Sequence, residues 1–407
     1  MFEVLMTEEQ KKLQDVVKSV PRQLILDMDA DKIIFPKEFL QETGRRNLLG
    51  LRFPQKWGGR GLTWHEELIA MEEIGTLGIQ FGCQYGLVSI VGETLNVYGT
   101  DDQKERYLKP TLAGEMCCAE ALTEPRGGSD FFGATSTAIR DGDFYILNGQ
   151  KRFVVGAEGA DYFAVYAKTN PDAEPHESLS LLIVERGEGV EVKHVYGLMG
   201  ARGNGTGRLL FRDVRVPAHN LIGEEHQGTK IFWQMMIPER LASGIASSRA
   251  FLALAARYAN RRKAFGQAIR NYQGVNFKIS DCITKLDAVT AFGHTVAEIV
   301  QEELGTSGYR RRLVSEVKRF STQVQWEVLN DCMQILGGIG YTNALPIERE
   351  LRGARLATIW TGTTEIQNII IQHEYFKELL SKGIEGRDVS ADVPLSEEEL
   401  AEEIIYE

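Results

Sequence analysis

The chain has 407 residues, of which 43% are hydrophobic and 25% charged, and a formal net charge of −11. That length suits two or three packed units, and no window approaches the run of about 18 apolar residues that a membrane helix needs, so no membrane span is expected. The negative charge argues against a nucleic-acid partner, since phosphate backbones are held chiefly by clustered Lys and Arg.

The N-terminus shows neither a basic-then-apolar leader nor an Arg-rich amphipathic segment, which makes the cytoplasm the expected location. Thr7 and Gln10 form a capping-box pair, and Leu13, Val16, Val17 and Val20 then repeat at helical spacing until Pro21. A second box, Thr100 with Gln103, predicts a helix ending near Pro110, and the Gly/Pro-rich stretch Phe53–Gly61 predicts a loop. These features define an N-terminal helical domain over residues 1–115.

From about Cys117 to Pro217 the pattern changes to short strands at Phe144–Leu147, Tyr162–Tyr166, Leu179–Val184 and Arg208–Phe211, separated by Gly-containing turns. This is read as a middle β domain, residues 116–218. After it, Val275, Ile279, Cys282, Ile283, Leu286, Val289 and Val296 keep a spacing near 3.5 residues, as in a long bundle helix. A C-terminal helical region is assigned to 219–383 and a solvated acidic tail to 384–407, where Ser396 and Glu399 offer a short helix cap. The order helices, sheet, helices gives an α+β class and disfavours a doubly wound nucleotide fold. Cys83, Cys117, Cys118, Cys282 and Cys332 show no metal-ligand spacing, so reduced thiols and no metal are expected.

Three glycine-bearing segments stand out: Thr123-Glu-Pro-Arg-Gly-Gly-Ser-Asp130, Gln334-Ile-Leu-Gly-Gly-Ile-Gly-Tyr341 and Trp360-Thr-Gly-Thr-Thr-Glu365. The first can bring bare backbone close to a ligand. The second ends a helix and the third starts one, where unpaired N–H groups suit anions; each also reads as a plain loop or cap. Together with Arg262-Lys-Ala-Phe-Gly266, in this order, they make residues 5 to 380 strongly resemble the acyl-CoA dehydrogenase family. The resemblance implies an N-terminal helical domain, a middle antiparallel β domain and a C-terminal four-helix bundle, assembled as a homotetramer with one FAD per subunit. It also implies an acyl-CoA substrate and an electron-transfer flavoprotein as electron acceptor.

By position, the resemblance implies that Leu122 and Thr123 hydrogen-bond the flavin and that Ser129 lies near the CoA moiety. Phe153 corresponds to the family's aromatic beside the flavin, and Val155 stands where a Thr or Ser hydroxyl is usual, leaving only a backbone amide for flavin N5. Arg262, Gln273, Gln334 and Gly338 match FAD-holding positions, the first two usually reaching a neighbouring subunit. Thr363 and Glu365 match further cofactor contacts, Glu365 standing where several relatives have Gln. Trp360 falls on the substrate side of the same turn.

The reaction needs a group that removes a Cα proton, and a carboxylate in a dry pocket suits the task. The resemblance places the common base position at Thr361, which cannot serve. Its backbone N–H matches the family's clamp on the thioester carbonyl. A subset of the family, like the isovaleryl and long-chain enzymes, carries the base in a Glu-Arg-Leu sequence, matched here by Glu239-Arg240-Leu241, with Arg240 near the CoA. On the residues alone, Glu239 also reads as an ordinary first-turn glutamate after Pro238, favoured by the helix dipole. Gly82, Gly86 and Ile90 share one helical face, either as a widened wall of the acyl pocket for bulky, cyclic, aromatic or branched groups, or as a face for close helix packing. Two further functions fit the family: an oxygen-using acyl-CoA oxidase, and a non-catalytic binding or assembly scaffold.

Overall fold

A computed structural model describes residues 8–241 and 247–382, with Arg387 and Asp392. Thr7, Ser396 and Glu399, and with them the caps expected at the two ends, lie outside the described residues.

The N-terminal unit holds α1 (Glu8–Ser19), α2 (Arg22–Asp29), α3 (Lys37–Arg45), α4 (Trp64–Gly75) and α5 (Ile79–Tyr98). Leu13 and Val16 of the predicted stripe are buried, with Val17 and Val20 packed at its margin. α4 opens on a capping box in which Thr63 N donates to Glu66 Oε2 at 2.9 Å and His65 N donates to Thr63 Oγ1 at 3.1 Å. The Thr100/Gln103 box forms as expected, Thr100 N donating to Gln103 Oε1 at 3.0 Å and Gln103 N to Thr100 Oγ1 at 3.2 Å. Its helix ends two residues past Pro110, at Leu112. It runs through α6 (Asp101–Gln103), a π turn (Lys104–Leu108) and α7 (Lys109–Leu112). A proline ring clashes with the carbonyl four residues back in a regular helix, and the widened turn just ahead of Pro110 relieves that clash.

The middle unit is one sheet: β1 (Cys118–Ala121), β2 (Thr137–Asp141), β3 (Phe144–Val154), β4 (Tyr162–Lys168), β5 (Leu179–Glu185), β6 (Val190–Val195), β7 (Gly207–Pro217) and β8 (Leu221–Ile222). The strands run in the order β6-β7-β3-β2-β4-β5-β8, with β1 added to β4. Pairing is antiparallel except that β1 runs parallel to β4 and a single β2–β4 pair is parallel. The pleat sorts β4 between two cores. Tyr162, Ala164 and Tyr166 share a core with Phe81 and Tyr85 of the N-terminal unit and with Met235, and Phe163 and Val165 pack on the other face with Ala119, Ala121, Leu182 and Leu209.

The C-terminal unit holds α8 (Gly228–Leu241), α9 (Ser248–Arg261), a small hairpin of β9 (Lys263–Ala264) and β10 (Gln267–Ala268), α10 (Gln273–Gln301), α11 (Ser307–Leu336), α12 (Ile347–Ala357) and α13 (Thr364–Lys382). α11 is the centre of the bundle, with α8, α9, α10 and α13 against it. Cys282, Leu286, Val289 and Val296 of α10 are buried as expected, whereas Ile283 is exposed, since it lies one residue off their stripe.

The N-terminal and C-terminal units are tied by buried charge. Glu93 of α5 pairs with Arg52, whose guanidinium lies 3.9 Å from the Trp64 ring, and accepts from Gln234 Nε2 of α8 at 2.6 Å. Both partners of this ion pair are almost wholly buried, unlike the exposed Lys56–Asp101 pair. Glu93→Leu should therefore lower unfolding stability by about 3–5 kcal/mol in chemical denaturation, because it strands the Arg52 charge. Lys56→Ala should give no resolvable change.

Candidate active site

Strand β1 ends at Ala121, and Leu122 and Thr123 follow at the sheet margin. They are held from below by Lys151 of β3, which donates to Leu122 O at 3.0 Å and to Glu124 Oε1 at 2.7 Å, while Arg152 N donates to Thr123 O at 2.8 Å. Lys151 and Glu124 are 0% and 2% exposed. Burial pushes the Glu124 carboxyl up, but the Lys151 charge and the donors on Thr135 outweigh it and hold it at about 2, so the pair is ionised. Those donors are Thr135 N at 2.6 Å and Thr135 Oγ1 at 2.7 Å, and Ser136 N adds a contact to Glu124 Oε1 at 3.1 Å.

β3 then leaves its register with β7 between Lys151 and Val154. At this bulge Phe153 takes a φ of +57°, a strained conformation for a bulky residue, and its ring is 49% exposed, 4.9 Å from the Tyr196 ring. Val155 follows the strand end and is half-buried. Ser129 is exposed on the loop that the Arg126–Asp130 ion pair closes at 2.6 Å.

Glu239 sits in the last turn of α8, with Pro238 inside the helix, so the first-turn reading is corrected: α8 begins well before it, at Gly228. The negative end of the helix dipole does not favour a carboxylate there. Burial pushes the Glu239 carboxyl up to about 7, against the pull of the Arg240 and Lys318 charges. Both cations are buried, and both also hold the turn between α12 and α13. Arg240 Nε donates to Thr361 O at 3.3 Å and Lys318 Nζ to Gly362 O at 2.8 Å. Gln367 Nε2 donates to the same two carbonyls at 3.2 and 3.0 Å. Thr361 and Gly362 have φ of +55° and +85°, so this turn is strained and pinned by three side chains. Burial and Arg240 lower Lys318 to about 8, with Glu239 and Glu365 opposing.

Trp360 Nε1 and Thr361 Oγ1 are buried with no hydrogen-bond partner among the described residues. Thr363 Oγ1 accepts from Ile366 N at 3.3 Å at the start of α13, beside exposed Glu365. Arg262 closes α9, Gln273 opens α10, Gln334 lies in the last turn of α11 and Gly338 in the 3-10 turn after it; all four are exposed. On α5, a methyl built on Gly82 meets nothing within 4 Å, whereas one on Gly86 comes 3.3 Å from Met71 Cε, and Ile90 is buried in the core.

Sequence reasoning gave no role to the Lys151–Glu124 pair, to Lys318 or to Glu120 of β1. Lys151, Lys318 and Glu120 are charged residues at inward positions of their elements, and that mismatch was the available signal, while Glu124 lies in the loop after β1.

Three family models cover almost the whole described chain: acyl-CoA dehydrogenase N-terminal domain over residues 7–115, middle domain over 119–214 and C-terminal domain over 226–376. Mitochondrial isovaleryl-CoA dehydrogenase of Pongo abelii is 34% identical over 82% of this chain and 80% of its own. The caffeyl-CoA reductase-Etf complex subunit CarC of Acetobacterium woodii is 31% identical over 87% of this chain and 93% of its own. The solved structure of butyryl-CoA dehydrogenase from Megasphaera elsdenii superposes with a TM-score of 0.86 at 28% identity, covering 91% of this chain and 99% of that one.

The chain belongs to the acyl-CoA dehydrogenase family. It is an FAD-dependent oxidoreductase of acyl-CoA thioesters. The residues present fit that cofactor: the strand margin at Leu122 and Thr123 is open, Phe153 is displayed beside it, and methyls built on Gly337 and Gly338 meet nothing within 4 Å.

Because Lys151 carries the strand margin through a buried ion pair, Lys151→Met should lower unfolding stability by about 3–5 kcal/mol. The double variant Lys151→Met/Glu124→Met should recover part of that loss in the same denaturation experiment, since no charge is then stranded.

Proposed function

We propose that the chain catalyses α,β-dehydrogenation of an acyl-CoA to the 2-enoyl-CoA, with Glu239 removing the Cα proton. The observation that carries this reading is a buried carboxyl poised at about 7 between two buried cations, one of which, Arg240, also grips the Thr361 turn. FAD, when bound, accepts the hydride from Cβ. The proton ends on a Glu239 oxygen, and Arg240 and Lys318 favour the ionised form of that carboxylate against its burial. The Thr361 backbone N–H stabilises the charge that develops on the thioester oxygen, and the three side chains fixed on carbonyls 361 and 362 hold the turn for it. Leu122, Thr123, Phe153, Val155, Thr363 and Glu365 line the cofactor on this reading, Ser129 and Arg240 serve the CoA thioester side, and Trp360 faces the acyl group.

Electrons pass on to an electron-transfer flavoprotein, in keeping with the Etf partner named for CarC. The working unit is a homotetramer in the cytoplasm, with Gln334 and Gly338 holding FAD and Arg262 and Gln273 completing the site across a subunit boundary. Large apolar side chains on the outer bundle support assembly: Phe265 is 97% exposed, and Leu380, Phe376 and Ile369 of α13 are also bare. The free space at Gly82 supports a bulky, cyclic, aromatic or branched acyl group, whereas Gly86 is closely packed against Met71.

Glu239→Gln should retain FAD and lower anaerobic flavin reduction by roughly 10²–10⁴-fold, while Thr361→Ala changes it little. Reduction of the Gln variant at the wild-type rate would assign the base elsewhere. The base works only when ionised, so the reduction rate should rise as pH climbs through about 7 and fall away below it. Lys318→Met removes a charge that favours the carboxylate, so it should move that midpoint upward and slow the reaction at neutral pH. Leu380→Asp with Phe376→Asp should give smaller particles by light scattering and a lower FAD content; an unchanged tetramer or a wild-type monomer would remove the shared-site reading.

A further inference from the structure

Strand β1 reads Cys-Ala-Glu-Ala, and Glu120 is its one charged residue. Its register partner on β4 is Ala164, and Cys118 faces Tyr162. Cys118, Tyr162, Ala164 and Tyr166 all pack on the sheet face that meets α5 and α8, together with Phe81, Phe232 and Met235. By the alternation of the strand, Glu120 projects from that same face into the apolar layer between sheet and helices. Its Oε1 is buried with no hydrogen-bond partner among the described residues. Glu239 of α8 lies close enough for its charge to act on Glu120, and both carboxyls act on the Tyr166 hydroxyl. On α5 the Cys83 thiol also feels Glu239, and a methyl built on its neighbour Gly82 meets nothing within 4 Å.

The nearby cation Lys151 hydrogen-bonds Glu124 and not Glu120. Burial of the carboxyl pushes Glu120 well above the ordinary carboxylate range and the Glu239 charge adds to this, with Lys151 opposing, which favours the protonated form and an O–H that can donate. A plain alkyl group in this layer leaves that donor unmatched, and an anionic group is repelled by Glu239.

We propose that Glu120 is a specificity-determining residue of the acyl pocket, donating a hydrogen bond to a neutral oxygen, as hydroxyl, ether or ketone, carried by the acyl group. This rests on the reading of Glu239 as the base beside the acyl chain, and it narrows the substrate to oxygen-bearing neutral acyl-CoAs.

The test pairs CoA thioesters of one carbon skeleton with and without the oxygen, such as 4-hydroxycyclohexanecarbonyl-CoA and cyclohexanecarbonyl-CoA, on the FAD-loaded enzyme. Flavin reduction is followed anaerobically. Binding is read separately from the flavin spectral shift in Glu239→Gln, so the preference stays measurable even where the base assignment fails. The expected result is at least about a tenfold preference for an oxygen-bearing ester in both readouts, kept largely by Glu120→Gln, whose amide still donates, and lost in Glu120→Leu. Flavin content and the thermal midpoint check each variant, and the wild-type preference stands by itself where Glu120→Leu does not fold. Equal affinity for the paired esters across hydroxyl, ether and ketone examples, a preference that survives Glu120→Leu, or a preference for a dicarboxylic or amino-bearing ester would overturn the proposal.

Discussion

A carboxyl taken out of water needs either a proton or a counter-charge, and Glu239 is held between those two states. Its own helix supplies Arg240 and the centre of the bundle supplies Lys318, and the same two side chains bond the carbonyls of Thr361 and Gly362. One set of cations thus fixes both the electrostatics of the carboxyl and the conformation of the strained turn facing it. The positive φ of Thr361 persists because its carbonyl and that of Gly362 are held by Arg240, Lys318 and Gln367 together.

The sheet side of the site is built by the same device. Lys151 and Glu124 are buried as an ion pair, and the spare hydrogen-bonding capacity of that pair goes to Leu122 O, Thr135 and Ser136. Such a pair contributes little net stability over an apolar replacement, but its geometry is specific. It lies between the end of β1 and the place where β3 breaks register to display Phe153. Glu93, bound to Arg52 and Gln234, then ties α5 to α8, so the helix that carries Glu239 is fixed to the N-terminal unit as well as to the bundle. The charges buried between layers are therefore what the three units use to set one site.

Local features were legible wherever a short-range rule controls them. The Thr100/Gln103 box, the buried stripe of α10 and the strands β3, β4, β5 and β7 follow from capping chemistry and periodicity. β1, β2, β6 and β8 were missed, being short, or exposed along one side, or, for β1, made of small residues with no alternation to read. Pro238 looks like a helix start in sequence, yet it lies inside α8, near its C-terminal end, because packing of α8 carries the helix through it.

The glycine-bearing segments and the Glu-Arg-Leu sequence pointed to the family and to Glu239, because such motifs are contiguous and their chemistry is written in residue type. What only the tertiary structure decided is which charges meet. Lys318 lies 79 residues from Glu239 along the chain and Glu120 lies 119, and neither belongs to a motif. Their proximity comes from the packing of α11 on α8 and of β1 beneath α5. The sequence by itself determined the residue types available for catalysis, the helical and extended stretches, and the family. The tertiary structure decided the protonation states and the shape of the pocket, because desolvation and Coulomb interaction depend on distances in space that no local pattern encodes.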